Sequence, residues 1–246
     1  MSNFEFIPNI DQFNNSNIFQ FMKKHNISSL DELSIKSKNN LEWFWESVDK
    51  DIGIIWDEPY TKTLDMSNGI AWSKWFVNGK TNIYKSSVEK FAKQTPNKIA
   101  YHFISENGIE TKLSYFELDS KVSKLANGLK SLGIKKGDII AIYLPMIEEA
   151  IVSILAAAKI GAIQTIIFSG YSSESLQIRL QDCHAKILLT SDGFNRKGKS
   201  VSQKTTIESA IIDTDIEKII MVSYMGIDQY KKSKKIQFYD ELISTQ

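Results

Sequence analysis

The chain has 246 residues, 42% of them apolar and 24% charged, and its 30 Lys+Arg against 29 Asp+Glu leave a net charge of +1. This fits one large or two small globular domains, so disorder is not the default reading, and the chain lacks the basic excess of a protein that wraps nucleic acid by neutralising many phosphates, so any anion site must be a local cluster. The single cysteine, Cys183, excludes an internal disulfide framework and a multi-cysteine zinc site, and His25, His102 and His184 lie too far apart in sequence to show ligand spacing.

The first 40 residues hold eight asparagines and little periodicity. Residues 1–17 read as a poorly ordered or loosely docked arm. They show no basic region followed by an apolar run, so no secretory signal is expected and a cytoplasmic protein is. Short helices follow. Asp31 is a candidate cap for one, and Leu41, Trp43, Phe44, Trp45 and Val48 line another. All five tryptophans lie within 43–76, which points to packing anchors of an extension and not to a ligand box.

A second region opens near Asn82, giving expected domains of 1–81 and 82–246. A helix fits 85–95. KIAYHFIS (98–105), Asn107-Gly108 and IETKLS (109–114) form a hairpin signal. Ser114 and Glu117 match a capping box. Leu118, Val122, Leu125, Leu129 and Leu132 then recur on one helix face, closed by Gly133. Strands at 138–144, 162–168, 185–191 and 217–224 alternate with helices at 147–160, 172–182 and about 205–212. That alternation implies βαβ crossovers and an α/β fold with a doubly wound, mostly parallel sheet, preceded by the aromatic-rich, partly helical extension. The apolar run 150–168 is interrupted by Lys159, Gly161 and Gln164, so it reads as buried helix plus buried strand and not as a membrane span.

Two segments are candidates for chemistry. Gly193–Ser200 fits G-x-x-x-x-G-K-[ST], the spacing with which a P-loop wraps phosphates, and it follows a predicted strand. The next residues make a poor amphipathic helix, so a solvated basic loop and another kind of phosphate contact stand beside the P-loop reading. A P-loop would also need a downstream magnesium-binding acid, for which Asp228 is the candidate. The second segment, FSGYSSES (168–175), lies between a strand and a helix, where open α/β sheets bind ligands; the alternative is a plain turn with a serine cap. Glu148 and Glu149 start a helix and read as dipole partners. No nucleophile–base motif is present.

In several stretches the chain resembles the amino-terminal part of acetyl-CoA synthetase-type acyl-CoA synthetases, in the AMP-forming adenylating-enzyme superfamily. The matching stretches are FWESV (44–48), KTLDMSNGIAWSKWFVNGKTN (62–82), residues 113–163, FSGYSSESLQIRLQDCHAKILLTSDG (168–193) and FNRKGK (194–199), in the family's order. The resemblance implies a ligase that joins a short carboxylate to CoA through an acyl-adenylate, with ATP and magnesium used by the complete enzyme. It also implies that Phe168, Ser169 and Gly170 lie against the CoA adenine, while Arg196 and Lys199 hold its 3′-phosphate. The family has glycine where Ser169 stands, often arginine where Lys199 stands, and a different stretch at 85–91. The phosphate loop with its following lysine, the later aspartate and arginine motifs and the mobile catalytic-lysine domain are not found. The chain is therefore expected to be roughly a third to two-fifths of such an enzyme, with part of the CoA site, no catalytic residues and no metal ligands. On that reading it is inactive alone, and its partners are CoA, ATP, a short carboxylate and the remainder of the synthetase, with no nucleic acid or membrane. A non-catalytic module from a split gene is the further alternative.

Overall fold

Two burial patterns organise the chain: short amphipathic pieces up to residue 81, then a longer region in which three strands are buried on both faces. A computed structural model describes residues 7–106, 108–226 and 230–246. Asn107 and Asp228 lie outside the described residues. The chain divides into two compact units, 1–81 and 82–246.

The first unit contains α1 (Ile10–Asn14), α2 (Asn17–Lys24), α3 (Leu30–Asn39) and α4 (Leu41–Ile52), then β1 (Trp56–Glu58), β2 (Lys62–Asp65), β3 (Lys74–Val77) and β4 (Lys80–Thr81). The arm expected at 1–17 is partly helical: Asn9 and Gln12 form a capping box at α1, although α1 buries no residue. Asp31 does not cap α3. Ser29 does, and Asp31 falls in the first turn, where its charge suits the helix N-terminus. Met22, Ile27 and Leu33 form a small core with Phe21, Trp43 and Phe44 packed on it. Trp56, Tyr60 and Phe76 form a ring triad with centroids 5.0–5.4 Å apart. The buried Asp49 carboxylate accepts from Trp56 Nε1–H (2.9 Å) and the Tyr60 hydroxyl (3.1 Å). Four of the five tryptophans thus make ring contacts inside this unit, and Trp72 is exposed.

The second unit begins with a π-helical turn, Lys85–Glu89, that runs into α5 (Lys90–Gln94). The hairpin of β5 (Ile99–Ile104) and β6 (Glu110–Ser114) follows. The Ser114–Glu117 capping box opens α6 (Tyr115–Ser131), whose Leu118, Val122, Leu125 and Leu129 are buried. The remaining elements are β7 (Ile139–Tyr143), α7 (Glu148–Ile160), β8 (Ile163–Ile166), α8 (Ser173–Cys183), β9 (Ile187–Ser191), β10 (Gly193–Arg196), β11 (Lys199–Ser202), α9 (Lys204–Ala210), β12 (Lys218–Val222), β13 (Ile236–Phe238) and α10 (Tyr239–Ser244).

A five-stranded sheet in the order β13-β12-β9-β7-β8 is parallel throughout. Because strand side chains alternate, each central strand serves two cores. Ile140 and Ile142 of β7, Ile187 and Leu189 of β9 and Ile220 of β12 meet α6, α7 and α10. Ala141, Leu188, Ile219 and Met221 face α8 and α9 on the other side. The expectation of apolar strands buried on both faces holds for β7, β9 and β12, but β8 is an edge, with Ile163 and Ile166 exposed. Among the described residues, no helix is long and apolar enough to cross a membrane.

Candidate functional site

The winding of the sheet locates a cleft. Beyond the carboxyl end of β7 the chain passes to α7 on one face. Beyond β9 it passes through β10 and β11 to α9 on the other face. Connections that part in this way open a crevice at the strand ends, the usual ligand position of an open α/β sheet. A cavity of about 290 Å³ lies there, lined by Pro145 and Met146 after β7, Phe168 and Ser169 after β8, Phe194, Asn195 and Arg196 on β10, and Tyr224 after β12. A neighbouring cavity of about 530 Å³ shares Met146, Ile147, Asn195 and Tyr224 and adds Lys121, Glu148 and Glu149.

Of the residues singled out from the sequence, Phe168, Ser169 and Arg196 line the smaller cavity, and Gly170 and Lys199 do not. The Phe168 ring is exposed and meets Tyr171 edge-on at 5.7 Å. Arg179 stacks over Tyr171 at 4.4 Å. Ser169 is buried. A Cβ on Gly170 would come within 2.5 Å of the Phe168 ring, so a side chain there would push that ring aside.

The P-loop reading of Gly193–Ser200 is overturned. A P-loop wraps phosphates with a loop whose Lys-Ser opens a helix. Here the segment is an antiparallel hairpin with Arg196 directly opposite Lys199, both of them, with Ser200, on strands. Lys197 and Gly198 both have positive φ, 51° and 71°, the geometry of a two-residue turn that follows the strand twist. Gly193 is required for a different reason: a Cβ there would lie 2.5 Å from the Val201 carbonyl oxygen, which is backbone and cannot swing away. Pairing places the Arg196 and Lys199 side chains on one face of the ribbon. Both are exposed. Glu106 accepts from the Lys197 backbone N–H and so ties the hairpin tip to the β5–β6 loop.

Beneath the cleft lies a buried polar layer that sequence reasoning missed. Asp192, 2% exposed, accepts from the backbone N–H groups of Tyr224 (2.9 Å) and Met225 (2.8 Å). Tyr143, Ser191 and Gln203 are also buried. One sequence signal was available: Gln203 occupies a helix N-cap position, where Ser, Thr, Asp or Asn is favoured.

Glu148 and Glu149 stand in the first turn of α7, as expected, and Glu148 pairs with Lys121. Burial pushes the Glu149 carboxyl above its ordinary range; Glu148 and Asp240 add to the rise and Lys121 opposes it. An acid with a raised folded-state pKa weakens the fold increasingly as pH climbs above its unfolded value, and costs nothing below it. Glu149→Gln is therefore expected to raise Tm relative to the parent at about pH 7 and not at about pH 3.5. Equal shifts at both pH values would mean that packing, not charge, is responsible.

Among the described residues no cluster of three or more His, Cys, Asp or Glu could hold a metal. A larger cavity, about 580 Å³, lies in the first unit, lined by Phe21, Leu33, Phe44 and Val48 and also by Asn17, Gln20 and the Lys24–Asp51 ion pair.

The fold and cleft thus define a doubly wound α/β protein with a ligand crevice at the switch of strand order. Residues 88–241 match the family described as AMP-binding enzyme, and residues 30–86 match acetyl-coenzyme A synthetase N-terminus. The chain belongs to the AMP-binding enzyme family. It is 39% identical over 234 residues to an acetyl-coenzyme A synthetase of Methanothrix thermoacetophila, a match covering 94% of this chain and 35% of that protein. It is 38% identical over 192 residues to acetyl-coenzyme A synthetase 2 of Saccharomyces cerevisiae, covering 78% and 28%. In fold it matches the structure of acetoacetyl-CoA synthetase from Streptomyces lividans, with a TM-score of 0.86 at 23% identity, over 96% of this chain and 37% of that one. The chain spans about a third of the length of these relatives.

Proposed function

We propose that this chain is the amino-terminal part of an AMP-forming short-chain acyl-CoA synthetase and carries part of its CoA site. The reaction is carboxylate, ATP and CoA to acyl-CoA, AMP and pyrophosphate. Residues 1–81 are the extension and 82–246 the first part of the AMP-binding domain. Phe168, Ser169 and Gly170 receive the adenine of CoA, and Arg196 and Lys199 its 3′-phosphate. ATP, magnesium and the carboxylate belong to the remainder of the synthetase, and the site works in the cytoplasm.

One observation carries this reading: two exposed cations stand side by side on a hairpin, and one of them, Arg196, lines a cavity whose other wall is an exposed phenylalanine and its loop. The donor set fits the ligand. A flat ring suits a nucleobase, and a guanidinium beside an ammonium suits a dianionic phosphate.

The reading is tested by CoA binding to the 246-residue chain, where CoA should bind more tightly than dephospho-CoA. The same chain is expected to be silent in ATP–pyrophosphate exchange with acetate or propionate, since the adenylation motifs are not in its sequence. Robust exchange by the purified chain, free of other synthetases, would overturn the assignment of adenylation to residues elsewhere.

A further inference from the structure

Gln203 sits where the two candidate CoA segments meet. It stands directly after β11, at the start of α9, and is 2% exposed. Its side chain does not cap the helix. The amide turns instead into the carboxyl end of the sheet. Its Nε2 donates to the Ser169 carbonyl at 3.0 Å. The buried Tyr143 hydroxyl donates to the Tyr171 carbonyl at 2.9 Å. Its Oε1 accepts from the Ser191 hydroxyl at 2.8 Å, and that hydroxyl also lies 2.9 Å from the Gly193 carbonyl.

A side-chain amide has two donor hydrogens and one acceptor oxygen. Here both functions are used on protein groups. Burying an amide is costly unless it is satisfied, and a satisfied buried network favours one arrangement over its neighbours. The Ser169 end of the 169–171 turn is held by Gln203 and the Tyr171 end by Tyr143. The same amide also holds Ser191, two residues before the hairpin.

We infer that Gln203 is a positioning residue: it locks the Phe168–Tyr171 loop and the 193–202 hairpin in one relative placement, so that CoA meets its adenine wall and its phosphate cations together. This inference rests on the CoA reading of the cleft and names the residue that makes the two halves of that site one pocket.

The test uses the 246-residue chain and two substitutions. Gln203→Met keeps the volume and removes every hydrogen bond; Gln203→Glu keeps an acceptor for Ser191 and removes the donors. In both, amide hydrogen exchange followed by mass spectrometry should rise in segments 168–171 and 193–202 and stay at the parent level in α6. CoA affinity should fall by about tenfold, the scale of one lost buried hydrogen bond. The preference for CoA over dephospho-CoA should shrink, because the hairpin no longer meets the phosphate once the adenine is seated. A merely structural role would lower Tm and leave that preference alone. Ser191→Ala is the milder cut should Gln203→Met fail to fold, and it should raise exchange in the same two segments. Unchanged exchange at 168–171 in the folded variants overturns the inference, as does raised exchange with the CoA preference intact. A parent chain with no preference for CoA over dephospho-CoA is a separate result: it overturns the CoA reading itself, and the ligand half of this inference with it.

Discussion

Arg196→Ala should weaken CoA binding by roughly 10- to 150-fold, the loss of one charge-assisted contact to a partly solvated phosphate, about 1.5–3 kcal/mol. The same substitution should leave dephospho-CoA binding almost unchanged, because on the proposed assignment the group that Arg196 meets is the group that ligand lacks. The experiment is a double cycle of two proteins and two ligands at fixed salt, read by calorimetry. Arg196 is exposed at the end of β10 and opposite Lys199, so its removal leaves no buried cavity and should not disturb the fold. If dephospho-CoA is weakened as much as CoA, Arg196 acts on the structure and the phosphate assignment is wrong. Raising the salt should weaken CoA more than dephospho-CoA, since the exposed cations are screened.

The largest effect on stability is expected from Leu125→Ala. Leu125 is fully buried on α6, in the core that α6 and α7 make against β7 and β9. Truncating a buried leucine removes its transfer free energy and leaves a cavity in a packed interior, at a cost of about 2–5 kcal/mol. A domain stable by roughly 5–15 kcal/mol keeps little margin after that loss. Phe116 is the internal control: it lies on the same helix, is 63% exposed, and its replacement by alanine should cost within about 0.5 kcal/mol. Urea unfolding of the two variants gives the comparison. A Leu125→Ala cost no larger than that of Phe116→Ala would mean that the α6 face is not part of the cooperative core.

Much of the second unit was legible because its signals are local. The Ser114–Glu117 box depends on residues three apart, and the spacing of Leu118, Val122, Leu125 and Leu129 is that of one helix face. Both features stand in the structure as read. The alternation of apolar strands with helices led to the parallel sheet, since βαβ units leave few other arrangements. Local signals misled where two conformations share one pattern. Ser29, and not Asp31, caps α3, because either residue type serves and only the entry angle of the chain chooses.

The fit of Gly193–Ser200 to a P-loop is the sharper case. The letters G-x-x-x-x-G-K-S do not distinguish a loop that opens a helix from a two-residue turn between strands. Here Val201 and Ser202 pair with Phe194 and Gly193, and that ladder, not the letters, draws Lys199 into a strand. The sequence by itself therefore determined the class of sheet, the buried helix faces and the family, all carried by short-range periodicity and ordered motifs. Only the tertiary structure decided that β8 is an edge, that Arg196 and Lys199 share one face of a ribbon, and that Gln203 ties residues 169 and 191 together. Those facts depend on strand order and on hydrogen bonds between residues 12 and 34 positions apart, and nothing in a local pattern encodes such pairings.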